Sequence, residues 1–188
     1  VKGPPDPPPP LPSAVRAGLV AEGMEVPPEL AALPDEEAPP EEAAGDEDAA
    51  QGALGRAEVL HHRAYELPLV GMDLTGADLS ELDLTGQDLS GCILAGARLY
   101  RSVLVEAVLA GAVLSDAVLT EADLSRAVLT EADLTGALAD GVDAQEADFT
   151  GVLAEKSVWT GSRFARAKLV GAELMGATLT ACDFRGAV

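Results

Sequence analysis

Few side chains in this sequence are of types that do chemistry, and their spacing does not combine them. His61 and His62 are adjacent in the stretch 54–66, LGRAEVLHHRAYE. A metal site would need further His, Cys or carboxylate ligands at short spacing, and none lies suitably near. A solvated or capping role is expected instead. Cys92 and Cys182 are the only two cysteines, too few for a disulfide framework. Trp159 is the single tryptophan and is expected to fill core space. No Ser/His/Asp or Cys/His constellation could activate a nucleophile. The glycines follow a five-residue pattern, so chance G-x-x-x-x-G spacings carry no phosphate-loop meaning. The expectation is no enzyme, no catalytic or metal-binding residue and no cofactor.

The charge balance narrows the partners. Of 188 residues, 32 are acidic and 12 basic, a formal charge of −20. Phosphates would be repelled, so direct nucleic acid binding is not expected. Apolar residues make up 48% of the chain. Runs such as Ala107 to Ser115 still fall well short of the ~20 apolar residues of a membrane helix. No signal-peptide pattern is present, and a cytoplasmic location is expected. The chain opens at Val1 on a proline-rich stretch that reads like the interior of a longer polypeptide.

The elements divide near residue 66. Residues 1–56 hold 12 of the 13 prolines, with acidic clusters at Asp35 to Glu37 and Asp46 to Asp48. Proline removes backbone donors, and clustered carboxylates repel, so a disordered proline-rich acidic linker is expected. A short helix around Ser13 to Met24 is an alternative there, because Val15, Leu19 and Val20 could share a face. Residues 54–66 are expected to form a short helix or an irregular cap, with 57–66 as the short cap on the part of the chain that starts at Leu67.

From Leu67 the sequence repeats every five residues. Central positions run Leu69, Leu74, Leu79 and onward to Phe184, giving 24 pentapeptides without insertion or deletion. The central residue is Leu in 17 and Phe in 3, the exceptions being Ala139, Ala144, Ala154 and Trp159. Two residues earlier, Ala stands in 13 of the 24. Five residues of α-helix advance about 500°, which would scatter the leucines around the axis. In a strand the Ala and Leu of one repeat share a side, but five is odd. The chain must therefore bend once per repeat to keep every Leu on one side. Bends in one sense wind it into a coil with Leu and Ala inside.

Charges indicate how many repeats make one turn. Stacked coils sit about 4.8 Å apart, so like charges one coil apart should be avoided. At a separation of 20 residues the pairs Glu81–Arg101, Arg101–Glu121, Glu106–Arg126, Arg126–Glu146 and Glu146–Arg166 are all opposite in sign. At 25 residues, Glu81–Glu106, Arg101–Arg126, Glu106–Glu131 and Glu121–Glu146 are like-signed. Four repeats per coil are favoured. Ala139 then lies on Trp159 and Ala144 on Phe164, a small residue making room for a large one. Cys92 and Cys182 fall four and a half coils apart, too far for a disulfide.

Stretches such as Gly71-Met72-Asp73-Leu74-Thr75-Gly76-Ala77-Asp78-Leu79-Ser80 and Ala122-Asp123-Leu124-Ser125 resemble the pentapeptide-repeat family, and the resemblance covers residues 67–188. It implies an all-β fold: a right-handed quadrilateral parallel β-helix, a solenoid of about six coils. It also implies a non-enzymatic protein-interaction or scaffold module, such as the C-terminal part of a larger bacterial protein. Pentapeptide repeats resemble modules appended to secretion-system adaptors or cargo. The alternative is a DNA-mimicking regulator of a type II topoisomerase, since some family members are thought to bind such enzymes that way.

Three outward features are candidate sites. Asp83, Asp123, Asp143 and Asp183 would form an acidic ladder on one face, interrupted by Val103 and Arg163. Val103, Val108, Val113 and Val118, with Tyr100 and Val105 beside them, would form an apolar belt around one coil and a surface for a protein partner of unknown identity. Leu179, Phe184 and Val188 in the last coil would offer an open end for self-association.

Overall fold

The computed structural model describes residues 47–65 and 67–188, with side chains from residue 55. Residues 1–46 of the linker expected over 1–56, and with them the helix considered over Ser13 to Met24, lie outside the described residues.

The described part opens with one helix, α1 (Glu47–Ala64). It begins ten residues before the cap expected at 57–66 and takes in 47–56, the last part of the expected linker. The physical reason is local. No proline occurs between Pro40 and Pro68, acids stand at its first turn, and His61, His62 and Arg63 occupy its last. That arrangement suits the helix dipole at both ends.

Residues 67–188 form the coil. Parallel bridges join residues 20 apart throughout, from Asp73↔Ile93 to Arg163↔Asp183. The rod therefore has four faces and a new coil every four repeats. Face 1 carries Asp88, Val108, Val128, Asp148 and Lys168; face 2 carries Asp73, Ile93, Val113, Asp133, Leu153 and Glu173. Face 3 carries Asp78, Arg98, Val118, Leu138, Val158 and Thr178. Face 4 carries Asp83, Val103, Asp123, Asp143, Arg163 and Asp183.

Each corner is one turn. Ala77 N–H donates to Leu74 O at 3.0 Å, with Gly76 at φ 65° between them. A positive φ at the third turn residue is the type II signature. All 24 repeats place this residue at positive φ, 13 of them glycines and 11 not. The eleven, Glu81 and Arg101 among them, each accept roughly 1 kcal/mol of left-handed strain. Between corners the backbone bonds alternate up and down the rod. Leu79 N–H donates to Arg98 O at 2.7 Å, and Arg98 N–H donates to Ala77 O at 2.9 Å.

Inside, the central leucines from Leu69 to Leu134 and the alanines two before them are buried. The core changes toward the C-terminus, where Phe149, Trp159 and Phe164 pack edge-on or tilted with centroids 5.2–5.7 Å apart. Ala139 and Ala144 lie one coil before Trp159 and Phe164 and leave the volume these rings need. Three buried hydroxyls are satisfied within this core. Ser102 donates to Leu99 O, Ser157 to Ala154 O, and Ser162 to Ala139 O. Trp159 Nε1–H donates to Ser157 Oγ at 2.7 Å. Ser162 Oγ also accepts Val142 N–H at 3.0 Å, bridging the Ala139 turn.

α1 closes the first coil. Val59 is fully buried, and Leu60 and Met72 pack against the same core. Gly55 is required by contact: a Cβ there would fall 2.6 Å from Ala77 Cβ. Arg56 Nη1 donates to Asp78 O at 3.1 Å and Ser80 O at 2.8 Å. One coil later, the equivalent carbonyls of Arg98 and Tyr100 accept N–H bonds from Leu79 and Glu81. A guanidinium thus supplies to the first coil the donors that later coils receive from their neighbours.

Candidate interaction surface

The reactive side chains are spoken for. Cys92 Sγ donates to Leu69 O at 2.9 Å and Cys182 Sγ to Trp159 O at 2.8 Å. Burial pushes both thiols up, so they stay protonated near neutral pH. Neither cysteine is in a disulfide. His62 Nδ1 lies 2.7 Å from Pro68 O, where the chain leaves α1 for the coil. Burial, reinforced by the neighbouring His62, pulls the His61 pKa down. Among the described residues, no group of three or more His, Cys, Asp or Glu is placed to hold a metal ion. None of their helices is long and apolar enough to cross a membrane.

The acidic ladder exists as a line on face 4, with Val103 and Arg163 in the expected places. Its carboxylates have structural work. Asp83 Oδ1 accepts Thr85 N–H at 3.0 Å and the Thr85 hydroxyl at 2.6 Å. Asp123 binds Ser125 in the same way, and Asp143 and Asp183 accept the N–H groups of Gln145 and Arg185. The Thr85 hydroxyl, then its backbone N–H, hold the Asp83 carboxyl below the ordinary carboxylate range. Two of the four are also paired with cations. Arg163 Nη1 is 3.4 Å from Asp143, and Arg185 Nη2 is 2.7 Å from Asp183. The ladder is therefore not a uniform array of free charges. Sequence reasoning read these aspartates as charge and missed the turn. The signal was present: Asp stands before the central residue in nine repeats, and in seven of these Ser or Thr follows it.

Corner charges pair along the rod as their spacing implied. Arg101 Nε is 2.6 Å from Glu121, Arg126 is 3.0 Å from Glu106, and Arg166 is 3.0 Å from Glu146. These pairs are exposed and contribute little to stability.

The belt residues Tyr100, Val103, Val105, Val108, Val113 and Val118 are all half-buried. The four valines at 103, 108, 113 and 118 occupy faces 4, 1, 2 and 3 in turn. They point four ways, and no flat partner reaches them all. Tyr100 and Val105 stand at the two corners that flank Val103 across face 4, with Asp83 and Asp123 one coil to either side of Val103. Arg101 Cζ lies 4.8 Å from the Tyr100 ring centroid. In the last coil, Leu179 is half-buried, Phe184 is 37% exposed and Val188 73%. The Phe184 ring stacks on Phe164 at 5.0 Å.

Against this geometry the family can be stated. The pattern described as pentapeptide repeats matches in eight copies over residues 69–105, 117–153 and 160–188. The chain belongs to the pentapeptide-repeat family. Pentapeptide-repeat proteins are generally structural or interaction proteins, and no catalytic family is indicated. Three solved pentapeptide-repeat structures illustrate the likeness. HetL, involved in heterocyst differentiation regulation in the cyanobacterium Nostoc, is 24% identical, over 70% of this chain and 95% of its own, with TM-score 0.37. Rfr23 from the cyanobacterium Cyanothece is also 24% identical, over 69% and 95%, with TM-score 0.34. QnrB1, a plasmid-mediated fluoroquinolone resistance protein, is 21% identical, over 64% and 73%, with TM-score 0.38. None of the curated proteins matches this chain.

Proposed function

We propose that this pentapeptide-repeat chain is a non-enzymatic interaction or scaffold module, wound right-handed as the family implies, whose outer faces bind a protein. One observation carries this reading. Every thiol and buried hydroxyl of the rod is committed to core hydrogen bonds, while apolar side chains stand outward between charges. The row of Tyr100, Val103 and Val105 across face 4 is the best-formed example, with Val103 an apolar seat between Asp83 and Asp123. It suits a partner segment with an apolar anchor flanked by Lys or Arg. Pull-down with the full chain as bait tests it. Loss of the partner on Val103→Asp assigns face 4, and loss on Val108→Asp with Val113→Asp assigns the belt. A partner held equally by both variants overturns the reading.

The topoisomerase alternative needs a continuous negative array, and Arg163 and Arg185 neutralise half of the ladder. A gyrase supercoiling assay is expected to show no inhibition at micromolar protein. Clear inhibition would reinstate mimicry.

A further inference from the structure

We propose that face 3 joins two copies of this chain side by side and antiparallel, about a two-fold axis through Leu138. Val118, Leu138 and Val158 stack on consecutive bridges. They are the longest unbroken apolar run on any face of the described coil. Leu138, at its middle, is 44% exposed. The corners on either side of Leu138 carry Gly136 and Gly141, and the room their missing side chains leave is taken by Asp116 and Glu121 leaning in from the coil before.

Charge selects the occupant. Asp116 stands one coil before Gly136 on the corner between faces 2 and 3, and Lys156 one coil after it. Both are exposed, and neither is in an ion pair among the described residues. Their separation of two coils, about 9.6 Å, holds them apart within one rod. An antiparallel second copy maps the coil above Leu138 onto the coil below it. Val118 then meets Val158 of the second copy, Leu138 meets its own image, and Asp116 meets Lys156 of the second copy, twice by symmetry. A parallel copy would instead set Asp116 against Glu121 at the same height, a like-charged contact. The one like-charged pair in the antiparallel arrangement is Asp140 with its image. It lies at the edge of the face, and Asp140 Oδ1 already accepts Thr160 N–H at 3.0 Å.

The size of the face sets the strength. Centred on Leu138, the two copies overlap over five levels, Arg98 to Thr178, a height of about 24 Å, and three extended residues give a width of about 10 Å. The footprint of about 240 Å² is well under the ~800 Å² per partner of a stable complex. The dimer is therefore weak and concentration-dependent, and it does not depend on the protein partner proposed above.

Sedimentation equilibrium of the full chain, from about 5 to about 500 µM, tests the pairing. The weight-average mass should climb toward twice the monomer. Leu138→Asp should remain monomeric with an unchanged circular dichroism spectrum, because Leu138 lies outside the core. Asp116→Lys or Lys156→Asp alone should weaken association about tenfold, and the two together should restore it. A strict monomer throughout, an undisturbed Leu138→Asp dimer, or a double reversal that fails to restore pairing would each overturn the proposal.

Discussion

An aspartate just before the buried leucine ties its own corner. Asp73, Asp83 and Asp88 each accept both the hydroxyl and the N–H of the residue two places on. Those bonds hold the three carboxyls below their usual value of 3.8. A carboxyl with a lowered folded pKa stabilises the fold above the unfolded value. That contribution fades as pH drops through the lowered one. The share these turns add to thermal melting should therefore be flat down to about pH 4 and weaken only below it, while an earlier loss below about pH 6.5 belongs to His61, whose pKa is also lowered. Asp88→Ala should cost about 0.5–1 kcal/mol in chemical denaturation, while Asp88→Asn, which keeps the accepting oxygen, should cost less. Equal losses would mean that charge, not the turn, matters. The Asp-x-Ser/Thr pattern made this legible in the sequence, but only to a reading of carboxylates as acceptors. Net charge alone pointed outward, toward partners.

At the scale of elements, the coil was plain from sequence and α1 was not. A five-residue period admits few geometries, and opposite charges 20 apart favoured four repeats per turn. The bridges and the Arg101–Glu121 pair bear that out. The start of α1 had no comparable signal, because Gly52 and Gly55 oppose helix by propensity. Its support comes from far away in sequence: Val59 in the core and Arg56 on the carbonyls of Asp78 and Ser80. Arg56→Ala leaves those acceptors short of donors and should reduce the helical signal near 222 nm and the melting temperature together. Arg56→Lys keeps the charge but not the planar fork, and should recover only part of the loss. A helical signal untouched by Arg56→Ala would show that Val59 alone seats α1.

For the whole molecule, the sequence placed the aromatic core but left the outer surface open. Trp159 sits among Phe149 and Phe164 with its ring N–H bonded to Ser157. Trp159→Ala should cost about 3–5 kcal/mol. Each coil contacts only its neighbours, so the damage should concentrate in the C-terminal coils and leave hydrogen exchange near Leu84 largely unchanged. Uniform loss of protection would mean that the rod melts as one unit. Surface function was less legible because outward residues obey no packing constraint. The belt read well along the chain, yet its valines face four directions once the coil is wound.

Four corners per revolution also govern how such a chain can change length. Gaining one pentapeptide between Leu138 and Val158 would swing everything downstream by a quarter revolution, carrying Val158 out of line with Leu138 and breaking each charged column that crosses the insertion. Gaining four would slide the downstream part along the axis and keep all the columns intact. Duplications of whole revolutions are thus tolerated by the exterior, whereas smaller ones redraw it.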